Sequence, residues 1–129
     1  MVFLLALAAL VGSYLANKWM LKVFRENTVI FGAPIVEELL KTLPAYFLNR
    51  PIWYVHFLFG LGEALYDFFT GRRETGSGAA AAGLISHTLF GLLTDWIRKG
   101  TGWILPALAG AVFTHCAWNF IVMRAGRRN

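Results

Sequence analysis

Charge is scarce in this chain. Of its 129 residues only 15% are charged, where a soluble domain of this size carries about a quarter. Cysteine is scarcer still: Cys116 stands alone, which excludes an intrachain disulfide and a cysteine-rich zinc site. Strand-like alternation is missing, and no internal repeat stands out. The net charge of +5 invites a nucleic-acid reading, but no basic stripe interleaved with aromatics is present. The basic residues sit in short breaks and at the C-terminus, so nucleic acid is not expected as a partner. No basic residue precedes the first apolar run, Val2–Ala16, and no cleavage context follows Ala6, Ala8 or Ala9. That run is therefore expected to be kept as an anchor.

What remains is apolar. Hydrophobic residues make up 57% of the chain, with five Trp, eleven Phe and four Tyr, and the mean hydropathy is +0.56. The lipid bilayer is the expected surrounding. Five apolar segments can be read against the ~20 residues that a helical crossing needs. The first runs from Val2 to Leu15, or to Phe24 if Lys18 and Lys22 snorkel. The others run Thr28–Leu48, Ile52–Phe69, Ala79–Ile97 and Trp103–Met123. Turn chemistry separates them at Asn49-Arg50-Pro51, across Gly71–Gly78, and at Lys99–Gly102. The small residues Ala79–Ala82 suit close helix contact. The expected fold is all-α: one polytopic transmembrane bundle over 1–129, its polar core between about 28 and 123.

Lys18, Lys22, Arg25, Arg72, Arg73, Arg124, Arg127 and Arg128 fall on one side of this arrangement, against Arg50, Arg98 and Lys99 on the other. The richer side is expected in the cytoplasm, with the N-terminus external and the C-terminus internal. Should the first run lie at the interface instead, both ends fall inside.

Into these spans the sequence puts all three histidines and five of its seven carboxylates. An ionisable group in hydrocarbon costs ~2.5–3.5 kcal/mol on insertion scales, so nine such groups, Lys41 included, imply a site. Their spacing is helical. Glu37 and Lys41 are four apart, with Glu38 three before the same lysine; Pro34 just ahead can free carbonyls and open the helix. Glu63 and Asp67 are four apart, and His56 lies seven before Glu63. His87 and Asp95 share a stripe with Gly91, and His115 and Asn119 are four apart. Four helices thus each carry a polar face, hidden only by turning inward.

Such a set suits hydrolysis. A carboxylate can deprotonate water, a second acid or a histidine can protonate a leaving amine, and His or Asn donors can hold an oxyanion. Glu37 and Glu38 in low dielectric would repel and share protons, with Lys41 offsetting part of the charge. Neither Ser86 nor Cys116 is set as a nucleophile for its neighbouring histidine, since adjacent residues on a helix diverge by roughly 100°.

These residues resemble a known family. Glu37-Glu38-Leu39-Leu40-Lys41 resembles the EExxK motif of PrsW-type intramembrane proteases, and Phe59-Gly60-Leu61-Gly62-Glu63 their FxxxE motif. Ser86-His87-Thr88 with Gly91 resembles the third, histidine-containing motif, and His115-Cys116-Ala117-Trp118-Asn119 the closing HxxxN. The family is related to the CAAX-prenyl-protease and bacteriocin-processing superfamily. The order agrees from about Pro34 to Asn119, although Gly78–Gly83 lacks the arginine that precedes the third motif in the family. The resemblance implies an endopeptidase integral to a prokaryotic plasma membrane, acting on membrane-anchored proteins or peptides. Glu37 and Glu38 would be the catalytic pair, Glu63, His87 and His115 their partners at the water, and Asn119 an oxyanion donor.

Other readings accompany this one. No cofactor is favoured, but Glu63, His87 and His115 could supply an open zinc site, without HExxH spacing to support it. The same groups could line a proton or cation path, or hold a partner or headgroup without catalysis. His56, five residues after Pro51, and Asp95, beside Trp96 and Arg98, read as edge residues, while Asp67 fits either group. The sequence leaves substrate and oligomeric state open.

Overall fold

The computed structural model describes residues 1–25, 27–70 and 73–126. Five α-helices follow in order: α1 (Val2–Phe24), α2 (Ala33–Phe47) led in by one π turn (Thr28–Gly32), α3 (Ile52–Thr70), α4 (Arg73–Thr101) and α5 (Ile104–Gly126). No strand occurs among the described residues. Among the described residues three helices are long and apolar enough to cross a membrane: Val2–Phe24, Ser77–Thr101 and Ile104–Gly126. The second helix, with 15 residues, measures only about 22 Å.

The burial pattern is inverted relative to a water-soluble protein. Large apolar side chains lie outside, as with Phe69 at 78% and Phe113 at 75% exposure, while Lys41, Glu38 and His56 are each 0% exposed. An apolar exterior over a hydrogen-bonded polar interior is what hydrocarbon surroundings select.

Turn chemistry explains the tight α2–α3 reversal. Asn49 takes a left-handed conformation (φ 50°), its N–H donates to the Tyr46 carbonyl, and the Arg50 N–H donates to the Ala45 carbonyl. This paired pattern caps the end of α2, and Pro51 then prevents the helix from continuing. Across the molecule, Asp95 accepts a bond from the Trp53 backbone N–H at 3.4 Å and faces Arg98 at 3.5 Å. A carboxylate at a helix N-terminus is favourable both as a cap and toward the dipole. Asp95 is thus a buried cap for α3, where the sequence placed it at an interface.

Two expected breaks are shorter than read. Residues 73–78 continue α4, because the Ala79–Ala82 run that follows is strongly helix-forming and extending a helix is easier than starting one. The Lys99–Gly102 break narrows to Gly102 (φ 75°) and Trp103. Gly71, Arg72, Arg127 and Arg128 lie outside the described residues.

Glycine sets the approach of α3 to α4. A Cβ at Gly60 would stand 2.9 Å from the His87 Cβ, and one at Gly91 would stand 2.6 Å from the His56 Cβ and 2.8 Å from the Trp53 Cα. Each glycine therefore receives a histidine of the other helix. Gly91→Ala is expected to cost about 1–3 kcal/mol by overpacking. Gly83→Ala, where nothing lies within 4 Å, should be neutral or stabilising by about 0.5–1 kcal/mol. Unfolding by steric trapping in bicelles distinguishes the two. Asp95→Ala should cost about 1 kcal/mol in the same assay through loss of the cap.

Candidate functional site

A buried ammonium requires partners in direct reach, since no water can take their place. Lys41 Nζ lies 2.7 Å from Glu38 Oε1, donates to His87 Nδ1 at 3.0 Å, and stands 4.4 Å from the Phe59 ring centroid. Because His87 Nδ1 accepts from the lysine, its proton is on Nε2, which meets Glu63 Oε2 at 2.6 Å. Glu38 Oε1 also accepts from His115 Nδ1 at 2.9 Å. That bond fixes the tautomer of His115 and turns its Nε2 lone pair toward Glu37 Oε2, 3.8 Å away. The other Glu37 oxygen accepts from Asn17 Nδ2 at 3.1 Å.

Two bonded groups, Asn17–Glu37 and the set around Lys41, thus face each other across one gap and together draw on all five helices. Phe90 closes on both histidine rings, 5.9 Å from His87 and 4.9 Å from His115, and the two imidazoles are 5.0 Å apart edge to face. The 3.8 Å between Glu37 Oε2 and His115 Nε2 is too long for a direct bond. It is short enough for one oxygen atom to bond both at ~2.8 Å.

Six of the residues expected at the site meet here: Glu37, Glu38, Lys41, Glu63, His87 and His115. Asn119 is placed differently. Its Nδ2 donates to the Val29 carbonyl at 2.9 Å. In the π turn the Ala33 N–H reaches the Thr28 carbonyl, so the Val29 carbonyl would next be paired by residue 34. Pro34 has no N–H to give, and the Asn119 amide takes that place. The opening foreseen ahead of Glu37 is thus present and occupied by a side chain of α5.

His56 needs correction, because it is no edge residue. The tight reversal at Asn49–Pro51 returns α3 along α2, and Gly91 lets α4 close over it. His56 Nε2 pairs with Thr42 Oγ1 at 3.1 Å, and Nδ1 lies 3.7 Å from Glu38 Oε2, both of those facing atoms being otherwise without a partner. Asp67 lines a cavity beside Glu63. Ser86 donates to the Gly83 carbonyl of its own helix at 3.0 Å.

Asn17 and Thr42 were missed. Both are uncharged, so a search for ionisable residues passes over them. Asn17 with Ser13, four apart in the first apolar run, was the available signal. For a metal, the three residues among those described whose ligand atoms lie within 4.8 Å of one another are Glu37, His87 and His115. Glu37 therefore stands where the sequence reading had Glu63. Both His87 nitrogens are already engaged, so ligation there would displace Lys41 or Glu63.

Comparison of the chain with protein-family models, with curated proteins and with solved structures gives no match.

Removing one partner of a buried ion pair strands the other. Lys41→Met is therefore expected to cost about 3–5 kcal/mol. The double variant Lys41→Met/Glu38→Gln should recover part of that loss, and a double-mutant cycle of unfolding free energies in bicelles measures the coupling.

Proposed function

We propose that this protein is a membrane-embedded endopeptidase that hydrolyses peptide bonds of membrane-anchored proteins with a glutamate-activated water. The observation that carries the reading is the gap between Glu37 Oε2 and His115 Nε2, each side of it backed by a hydrogen bond from another helix. All five helices would lie in the bilayer, with the N-terminus external and the C-terminus cytoplasmic.

A water in that gap donates one hydrogen to Glu37 and the other to the bare nitrogen of His115. Its oxygen lone pair is then free for a carbonyl carbon. As the C–O bond forms, Glu37 takes the water's proton and the carbonyl electrons move onto oxygen. Asn119, one helical turn from His115, spends one amide hydrogen on Val29 and has a second for that oxyanion. When the C–N bond breaks, the proton held by Glu37 passes to the departing nitrogen, leaving a carboxylic acid and an amine. Glu38 orients His115 and neutralises Lys41, which in turn fixes the His87–Glu63 pair.

A metal-assisted variant has one observation in its favour, the proximity of Glu37, His87 and His115. The ring bonds on His87 count against it. A proton path would also use a connected run of acids and histidines, and flux through proteoliposomes without peptide cleavage would favour it instead.

Purified protein in liposomes with single-span peptide substrates tests the peptidase. Glu37→Gln is expected to lower cleavage by about 10²–10⁴-fold, the usual worth of a general base. Glu38→Ala and His115→Ala should abolish it in folded protein, and normal activity in both would overturn the proposal. Cleavage should persist in strong chelators; a loss restored by zinc would transfer the assignment to the metal variant.

A further inference from the structure

We infer that the cleft between α1 and α3 binds an unwound, extended stretch of a membrane-embedded polypeptide, held through its backbone by Ser13 and Asn17. The inference rests on the peptidase reading and names where its substrate lies. The cleft is a cavity of about 610 Å³ whose walls are Ser13, Tyr14 and Asn17 on α1 and Glu63 and Tyr66 on α3, among others. It is also where the polar cluster reaches the surface. The Glu63 side chain is 35% exposed, against 6% or less for those of Glu37, Glu38, Lys41, His87 and His115. Both walls connect inward, Asn17 to Glu37 at 3.1 Å and Glu63 to His87 at 2.6 Å.

Two of the residues that line this cleft each carry a buried polar atom with no partner. Ser13, only 3% exposed, leaves Oγ unbonded, and Asn17, whose Nδ2 is spent on Glu37, leaves Oδ1 unbonded. A turn of either side chain presents its atom to an occupant, which satisfies it only by offering a hydrogen bond. An acyl chain has none to give. A helical span has already satisfied its backbone internally. An extended chain offers a donor and an acceptor at every residue. The spacing agrees: four residues of helix rise ~6 Å, and like-facing groups of an extended chain repeat every ~6.6 Å. Asn17 Oδ1 accepts a peptide N–H, and the Ser13 hydroxyl donates to a carbonyl two residues along. Asn17 thereby holds substrate with one end of its amide and Glu37 with the other.

The test uses the full chain in liposomes, with a benzophenone side chain installed at position 14 in the cleft or at position 113. Phe113 lies on α5, which makes no contact with α1 among the described residues. The probe is a synthetic single-span peptide with a central Gly-Pro break, compared with an unbroken Leu-Ala span. Strong photolabelling of the broken peptide from position 14, and little from position 113, is expected. Ser13→Val should reduce it by roughly five- to tenfold, the worth of one hydrogen bond, and Ser13→Thr should restore it. Equal labelling from both positions, equal labelling of the unbroken span, or labelling of lipid alone would overturn the inference. Peptide labelled in the cleft but never cut would uphold the cleft and remove the peptidase. Cleavage without labelling from position 14 would uphold the peptidase and overturn the cleft.

Discussion

The ammonium of Lys41 is fully buried, and that constraint organises the interior. Three hydrogens on a fully buried nitrogen need electron-rich neighbours at contact distance. Glu38, His87 and the face of Phe59 meet the need from α2, α4 and α3. Each of those neighbours then carries an obligation of its own. Glu38 has acceptor capacity left over, which His115 uses from α5. His87 has a second nitrogen, which Glu63 uses from α3. The polar interior grows outward from one charge and ends at groups that are only partly engaged, Glu37 Oε2 and His115 Nε2.

Such a network tolerates little slack, and the backbone supplies the precision. Gly60 and Gly91 let α3 and α4 approach until each receives the other's histidine. The two imidazoles are thereby placed by backbone contact rather than by long side chains, which favours fixed geometry over rotamer freedom. Larger residues at either glycine would separate the helices and draw His56 and His87 off their partners.

Much of this was legible in the sequence. Hydropathy and turn residues located five helices, and the spacing of Glu37, Glu38 and Lys41, or of His115 and Asn119, identified inward faces because a helix repeats its faces every three to four residues. What escaped the sequence depends on which helix lies beside which. His56 looked peripheral from its distance to Pro51, since chain position says nothing of a neighbour such as Gly91 closing over it. The bond from Asn119 to the carbonyl that Pro34 leaves free was likewise hidden, since only the three-dimensional course of the chain brings the two together. Asn17 drew no attention because one amide in an apolar run has no periodic partner except a serine.

The bond from Asn119 to Val29 ties the last helix of the chain to the lead-in of the second. A ribosome delivers these two elements far apart in time. When α2 first forms, Glu38 has Lys41 within its own helix to neutralise it, but neither His115 nor the Asn119 clamp exists yet. Until α5 is complete, Glu38 is paired with Lys41 alone, and the gap between Glu37 and His115 has only one side. Synthesis itself thus pairs the buried charge before the rest of the network arrives.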